Sequence, residues 1–252
     1  METLFIGCNL IFLPEVDSTN SYATELLKNV NVSEGTVIHT PNQTHGKGQR
    51  GNSWNAEIAS NVTASIILKP VFLNLQNQFY LYQIAALACY DVMAEILGNS
   101  QFDIKIKWPN DILVNSKKIA GILIENGLNT TSINYSVIGV GINVNQTSFN
   151  EGINATSIAN LIDEKIELNL VLTLLCRHLE KYYLQLKNNK LKEILKLYLS
   201  HLFGLNNWIN FEINNTKKLC LVKGINNTGL LVLEDELGEE KSYDVKELKW
   251  LI

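Results

Sequence analysis

No two of the four cysteines stand close enough to form a metal or redox pair. Cys8, Cys89, Cys176 and Cys220 are scattered over 252 residues, and no C-x-x-C occurs. The common zinc spacings are thereby excluded, and reduced structural thiols are the expectation. No basic-then-apolar leader opens the chain and no apolar run approaches about 18 residues, so neither a secretory signal nor a membrane span is expected. There is no basic surplus either: 21 Lys+Arg against 25 Asp+Glu leave a formal charge of −4. That argues against a nucleic-acid partner, because phosphate binding draws on clustered cations. Internal repeats are absent, and low complexity is limited to an Asn/Ile/Lys bias. Triplets such as Asn61–Thr63 and Asn154–Thr156 match the glycosylation pattern as chance products of that bias. The expectation is a cytoplasmic protein with no DNA and no membrane partner.

What is present reads as an ordinary globular chain, long enough for a sizeable core and a small satellite domain. Ile11–Val16 is strand-like, and Asp17-Ser18-Thr19-Asn20 supplies capping residues for a helix to about Lys28. Val37–Thr40 and Val62–Leu68 read as strands on either side of a long polar loop, and loops of that length are usually functional or disordered. Residues 77–97 form an apolar, Ala-rich stretch that predicts a buried helix. Phe102, Ile104, Ile106 and Trp108 alternate with polar residues, so one face of that strand is buried. Ile112–Val114, Ile119–Glu125 and Tyr135–Val144 follow as strands, then two helices. The second carries Leu191, Ile194, Leu195, Tyr198, Leu199 and Leu202 at helical spacing. From about residue 206 the texture changes to short strands at Leu219–Val222, Leu230–Leu233 and Tyr243–Val245. The expected organisation is an α+β body over 1–205, a mixed sheet packed with helices, and a small C-terminal β-barrel over 206–252.

Gly46-Lys47-Gly48-Gln49-Arg50-Gly51 satisfies G-x-G-x-x-G. A dinucleotide-binding reading requires a helix opening within the motif and an acid about 20 residues later. Here Asn52-Ser53-Trp54-Asn55 starts a helix poorly, and Ile66–Pro70 contains no acid. The loop has two other readings. It is either a mobile surface segment with two solvated cations, or an anion-ordered loop whose glycines admit a phosphate or carboxylate between Lys47 and Arg50.

At this loop the sequence begins to resemble the biotin protein ligase family, and further motifs follow in order. Asp17–Asn20 resembles the S-T-N segment and Gly46–Trp54 the glycine–arginine adenylate loop. Lys107-Trp108-Pro109-Asn110-Asp111 resembles the K-W-P-N-D signature. Lys117–Leu123 resembles the K-(apolar)-A-G-I-L segment, and Gly139–Asn143 the G-I-N element. The C-terminal strands are similar to the family's Src-homology-like barrel. There are two departures. The catalytic body begins almost at once, which implies the form without an N-terminal DNA-binding domain. Lys47 and Gln49 also stand where members commonly carry arginines, so position 49 has lost a cation.

The resemblance implies an enzyme that forms biotinyl-5'-AMP from biotin and Mg·ATP. It then passes biotin to a lysine of the biotin carboxyl carrier domain of acetyl-CoA carboxylase or a related carboxylase. It implies biotin contacts from Ser18, Thr19, Asn20, Gln43, Lys47, Gly48, Gln49, Lys118 and Gly121. It implies ATP contacts from Gly46, Lys47, Arg50, Trp54, Asn110, Asp111 and Asn143, with Mg²⁺ held through the phosphates. The catalytic roles fall to Lys118 and Arg50 as cations and to Asp111 as proton acceptor or amine-orienting group. Family members also pair through exposed sheet edges, so a homodimer is implied.

Taken singly, these residues have plainer readings: Ser18 or Thr19 as a helix cap, Gln43 and Lys118 as solvated surface groups, Asp111 as a turn cap, Trp108 as a core aromatic. Three other functions remain at this point. A lipoate ligase would share the fold, a non-catalytic biotin or nucleotide sensor would bind without releasing pyrophosphate, and an oxidoreductase would need a βαβ unit around Gly46.

Overall fold

The computed structural model of the chain describes residues 3–98 and 101–251, the side chain of Arg50 excepted. Its centre is a seven-stranded mixed sheet in the order β1-β2-β3-β7-β6-β5-β4. Its strands are β1 (Leu10–Phe12), β2 (Val37–Thr40), β3 (Asn61–Leu68), β4 (Ile104–Lys107), β5 (Asp111–Val114), β6 (Lys117–Leu128) and β7 (Ile133–Asn143). Only the β1–β2 pairing is parallel. β3 is paired antiparallel on both sides, to β2 and β7. No βαβ unit therefore surrounds the glycine loop, and the dinucleotide reading falls.

Side-chain alternation along each strand divides the sheet between two cores. Val37, Ile66 and Leu68 face the larger one, beneath α2 (Phe79–Leu97), α4 (Leu168–Lys187) and α5 (Leu191–Ser200), with the five-residue α3 (Ile158–Ile162) at its rim. Ile38, Ile67 and Val137 face a smaller core closed by Ala23, Leu26 and Leu27 of α1 (Thr19–Asn29). α1 covers only the β2/β3/β7 end of its face, and the functional site opens on the uncovered remainder. The expected alternation in β4 is present: Ile104, Ile106 and Trp108 are buried, and Lys105 and Lys107 are not. α2 is apolar enough by length and composition to cross a membrane, but it is mostly buried between sheet and helices.

Charge fastens α2 to α4. Asp91 on α2 accepts from Lys181 Nζ (2.9 Å) and Tyr182 Oη (2.8 Å), and His178 Nδ1 lies 3.4 Å away. Burial pushes the Asp91 carboxyl up, but these partners outweigh it and hold it at about 2, below the ordinary 3.8. A depressed folded-state value stabilises above the unfolded pKa and is lost as pH falls through the folded one. Acid unfolding should therefore show a component between about pH 4 and 2, worth on the order of 2 kcal/mol, that Asp91→Asn removes. Urea melts of both proteins at pH 7 and 3 check this. An acid loss as steep in Asp91→Asn as in the parent would refute it.

The second unit is a five-stranded antiparallel sheet, β11-β10-β9-β8-β12. Its strands are β8 (Trp208–Ile213), β9 (Thr216–Ile225), β10 (Leu231–Glu234), β11 (Glu240–Tyr243) and β12 (Leu248–Trp250). Among the described residues no ladder joins β11 to β12, so the small barrel is not closed by hydrogen bonds. Strands β8 and β12 go beyond the three expected from sequence. The chain between the units runs beside β4: Ile106 N donates to His201 O and Phe203 N donates to Ile106 O, both at 2.8 Å. Trp108 Nε1 donates to Gly229 O (2.8 Å), tying the signature strand to the second unit. Trp108 is 3% exposed, so the core-aromatic reading of it holds as well.

Candidate active site

A cavity of about 490 Å³ lies between the start of α1, the 43–54 loop, the open part of the sheet and the end of β12. The middle of its floor is bare backbone at two adjacent glycines. Thr63, Gly141, Gly121, Asp111 and Lys107 are successive Cα partners across β3, β7, β6, β5 and β4, all on the α1 face. A Cβ on Gly121 would meet Trp54 Cζ3 at 3.1 Å and Lys118 Nζ at 3.2 Å, and one on Gly141 would run into the Trp54 indole. The Trp54 ring thus lies over both glycines. Trp54 Nε1 is buried with no hydrogen-bond partner among the described residues.

At one end the walls are hydroxyls and amides. Ser18 caps α1 by accepting from Ser21 N (3.4 Å), so the cap reading holds, and it also lines the cavity. Gln43 Oε1 accepts from Thr19 N (2.8 Å) and Thr19 Oγ1 (3.1 Å). Ser65 Oγ lies 2.7 Å from Thr19 Oγ1 and 2.6 Å from Asn20 Oδ1, and Asn20 Nδ2 donates to Glu125 Oε2 (2.8 Å). A buried network of this kind holds its members in one geometry.

At the other end are charges. Lys118 Nζ is 2.6 Å from Asp111 Oδ1 and 5.6 Å from the centre of the Trp54 ring. Asn110 lines the cavity while its Nδ2 donates to Ile122 O (2.7 Å), pinning the turn to β6. Lys107 and, from β12, Lys249 line the same end. Burial lowers the Lys107 ammonium below the usual lysine value; Asp111 offsets part of this and Lys118 adds to it.

The 43–54 loop is folded over this end. Lys47 and Ser53 form a bridge, Gly48 N donates to Asn52 O (2.7 Å) and Trp54 N donates to Gly46 O (2.8 Å). Gln49 Nε2 donates to Tyr82 Oη (3.2 Å), so the amide at the departing position anchors the loop to α2.

Of the residues singled out from the sequence, Ser18, Thr19, Asn20, Gln43, Lys47, Gly48, Gln49, Trp54, Asn110, Asp111, Lys118 and Gly121 line the one cavity. Gly46 lies behind Trp54, and Asn143 is buried with Nδ2 donating to Thr156 O (3.0 Å); neither is in the cavity wall. The side chain of Arg50 lies outside the described residues. Sequence reasoning missed Ser65, Glu125, Lys107 and the 245–250 segment. Lys107 stood inside a motif already noticed, whereas nothing local marks the others.

Residues 12–143, just over half the chain, match the Biotin/lipoate A/B protein ligase family. This chain belongs to that family. It is 32% identical over 247 residues to the bifunctional ligase/repressor BirA of Bacillus spizizenii, covering 96% of this chain and 74% of that protein. It is 31% identical over 155 residues to the biotin–[acetyl-CoA-carboxylase] ligase of Mycobacterium tuberculosis, covering 62% and 56%. Its fold matches the Aquifex aeolicus biotin protein ligase solved with biotin and ATP at a TM-score of 0.79, with 28% identity, 96% of this chain and 99% of that one. The biotin protein ligase fold thus accounts for both units.

Proposed function

We propose that this ligase-family chain works as a biotin protein ligase: it condenses biotin with ATP to biotinyl-5'-AMP, then transfers biotin to a lysine of a carrier domain. The observation that carries the reading is the Lys118–Asp111 pair at the junction between the hydroxyl/amide wall and the cationic end. Thr19, Asn20 and Gln43 suit the one carbonyl and two N–H groups of biotin's ureido ring. The bare floor at Gly121 and Gly141, together with Trp54, suits the ring body and valeryl chain.

In the first step the ionised biotin carboxylate attacks the α-phosphorus, and the bond to the departing pyrophosphate breaks. Little proton transfer is needed; the obstacle is repulsion between anions and the charge growing on the phosphate oxygens. Lys118 is assigned to that charge, with Lys47 and Arg50 assigned to assist from the loop. Mg²⁺ arrives with ATP, and Asp111 is the single carboxylate lining the cavity among the described residues. An ion held chiefly by phosphates fits that donor set. The second step needs a neutral acceptor amine, and a lysine of pKa about 10.4 is almost wholly protonated at pH 7. Asp111 is assigned to orient that amine or take its proton.

The acceptor is a biotin carrier domain, that of acetyl-CoA carboxylase being the first candidate. Pairing into a homodimer would use a sheet edge. β4 is covered by residues 201–203, which leaves β1 with its exposed Leu10 and Phe12. The test is to mix the protein with biotin, Mg·ATP and a carrier domain, and to follow pyrophosphate and carrier mass. A gain of one biotin, absent with lipoate, supports the reading. Biotin binding without pyrophosphate would replace it with a sensor.

A further inference from the structure

We infer that Lys107 is a catalytic cation for the leaving group: its ammonium binds the β,γ-phosphate oxygens of ATP as pyrophosphate departs. This deepens the ligase reading and rests on it. The first argument is register. Along the row Thr63–Gly141–Gly121–Asp111–Lys107, neighbours sit about 4.8 Å apart, one strand spacing each. The hydroxyl/amide wall of Thr19, Asn20 and Gln43 lies at the β3/β7 end. Lys118, salt-bridged to Asp111, marks the β6/β5 junction. Lys107 stands one strand further along the same face, on the side away from the acyl group. An extended acyl-phosphate chain entering from the β7 end brings its carboxylate and α-phosphate to Lys118 and its outer phosphates to Lys107.

The second argument is charge balance. Lys107 lines the cavity and is only part-exposed, yet it makes no ion pair or side-chain hydrogen bond among the described residues. The carboxylate nearest in register, Asp111, is engaged by Lys118 at 2.6 Å. A desolvated cation without a partner is costly unless an anion arrives to meet it. The depressed Lys107 pKa has the same origin in burial, and an adjacent phosphate would reverse it. The charged side chains sharing its end of the cavity are Asp111 from β5, Lys118 from β6, Lys249 from β12 and Lys47 from the loop folded over it. In the step itself, a biotin carboxylate oxygen bonds to the α-phosphorus, the bridging P–O bond breaks, and its electron pair leaves on pyrophosphate. Charge appears where Lys107 waits, and no proton or electron is left over.

The test compares the full chain with Lys107→Ala and Lys107→Arg in two single-turnover assays. One follows pyrophosphate release from biotin and Mg·ATP; the other follows transfer from pre-formed biotinyl-5'-AMP to a carrier domain. Lys107→Ala should lose about 10²-fold in the first assay and stay within about twofold in the second. Lys107→Arg should recover most of the first rate and, at ATP well below saturation, hold it to higher pH, because arginine keeps its charge where the depressed lysine of the unliganded site loses it. Adenylation by Lys107→Ala at the parent rate would overturn the inference. So would an equal loss in both assays, the sign of a merely structural lysine, or an unchanged alkaline limb in Lys107→Arg. No biotin-dependent pyrophosphate from the parent itself would instead overturn the ligase reading, and this inference with it.

Discussion

Replacing Lys118 with alanine is expected to slow biotinyl-5'-AMP formation by about 10²–10³-fold, the range for removing one preorganised group aimed at developing charge. The geometry explains why the effect should fall on rate. The ammonium is held at 2.6 Å by Asp111 and backed by the Trp54 ring, so it need not reorganise as the phosphate charge grows. Glutamine at 118 would keep a donor without the charge and should recover only a small part. If Asp111 acted only as proton acceptor or amine-orienting group, losing it would spare adenylation and harm transfer. The salt bridge changes that expectation: Asp111→Asn frees the Lys118 chain and should slow both steps. Single-turnover pyrophosphate release and carrier mass, read separately, check it. Parent-like adenylation by Lys118→Ala would remove this residue from the chemistry.

Gly139→Ala should raise the KM for biotin about 10–100-fold, from the loss of one or two buried hydrogen bonds at about 1–3 kcal/mol each. Gly139 occupies a β7 position whose Cβ would point to the α1 face, and an added methyl would run into the Asn20 carboxamide. Asn20 has nowhere to retreat. It is 3% exposed and is held by Ser65, by Glu125 and by Leu123 O (3.3 Å). Displacing it also disturbs Thr19, which shares Ser65, and through Thr19 the amide of Gln43. The KM for ATP should change much less, since Lys118 and Lys107 lie on β6 and β4, one and three strands from β7 on the side away from α1. Steady-state titrations of each substrate separate the effects, and a double variant Gly139→Ala/Asn20→Ala should relieve the collision. An unchanged biotin KM would place the ureido pocket elsewhere.

How far the sequence alone carries depends on whether a signal is local. The cap at Ser18 is local chemistry, and α1 begins beside it. β4 alternates every second residue, so its buried face was readable without neighbours. β12 is three residues long with one buried side chain, and so short a strand has no period to detect. β8 does alternate, at Phe211 and Ile213, but only toward its end. Asn143 shows the opposite failure: it sits in a motif, yet the fold turns its amide to Thr156 O and away from the cavity.

Residue order alone determined the α+β class, the loop's incompatibility with a dinucleotide fold, and which motifs match the family. Each of these depends on spacing along the chain, which folding does not alter. Only the tertiary structure decided that Asp111 pairs with Lys118, that Ser65 and Glu125 brace Asn20, and that the end of β12 walls the same cavity. Those partners lie between 7 and 105 positions apart in the pairs named. They meet because antiparallel strands place distant residues side by side, and strand register, which sequence spacing does not encode, selects the partner.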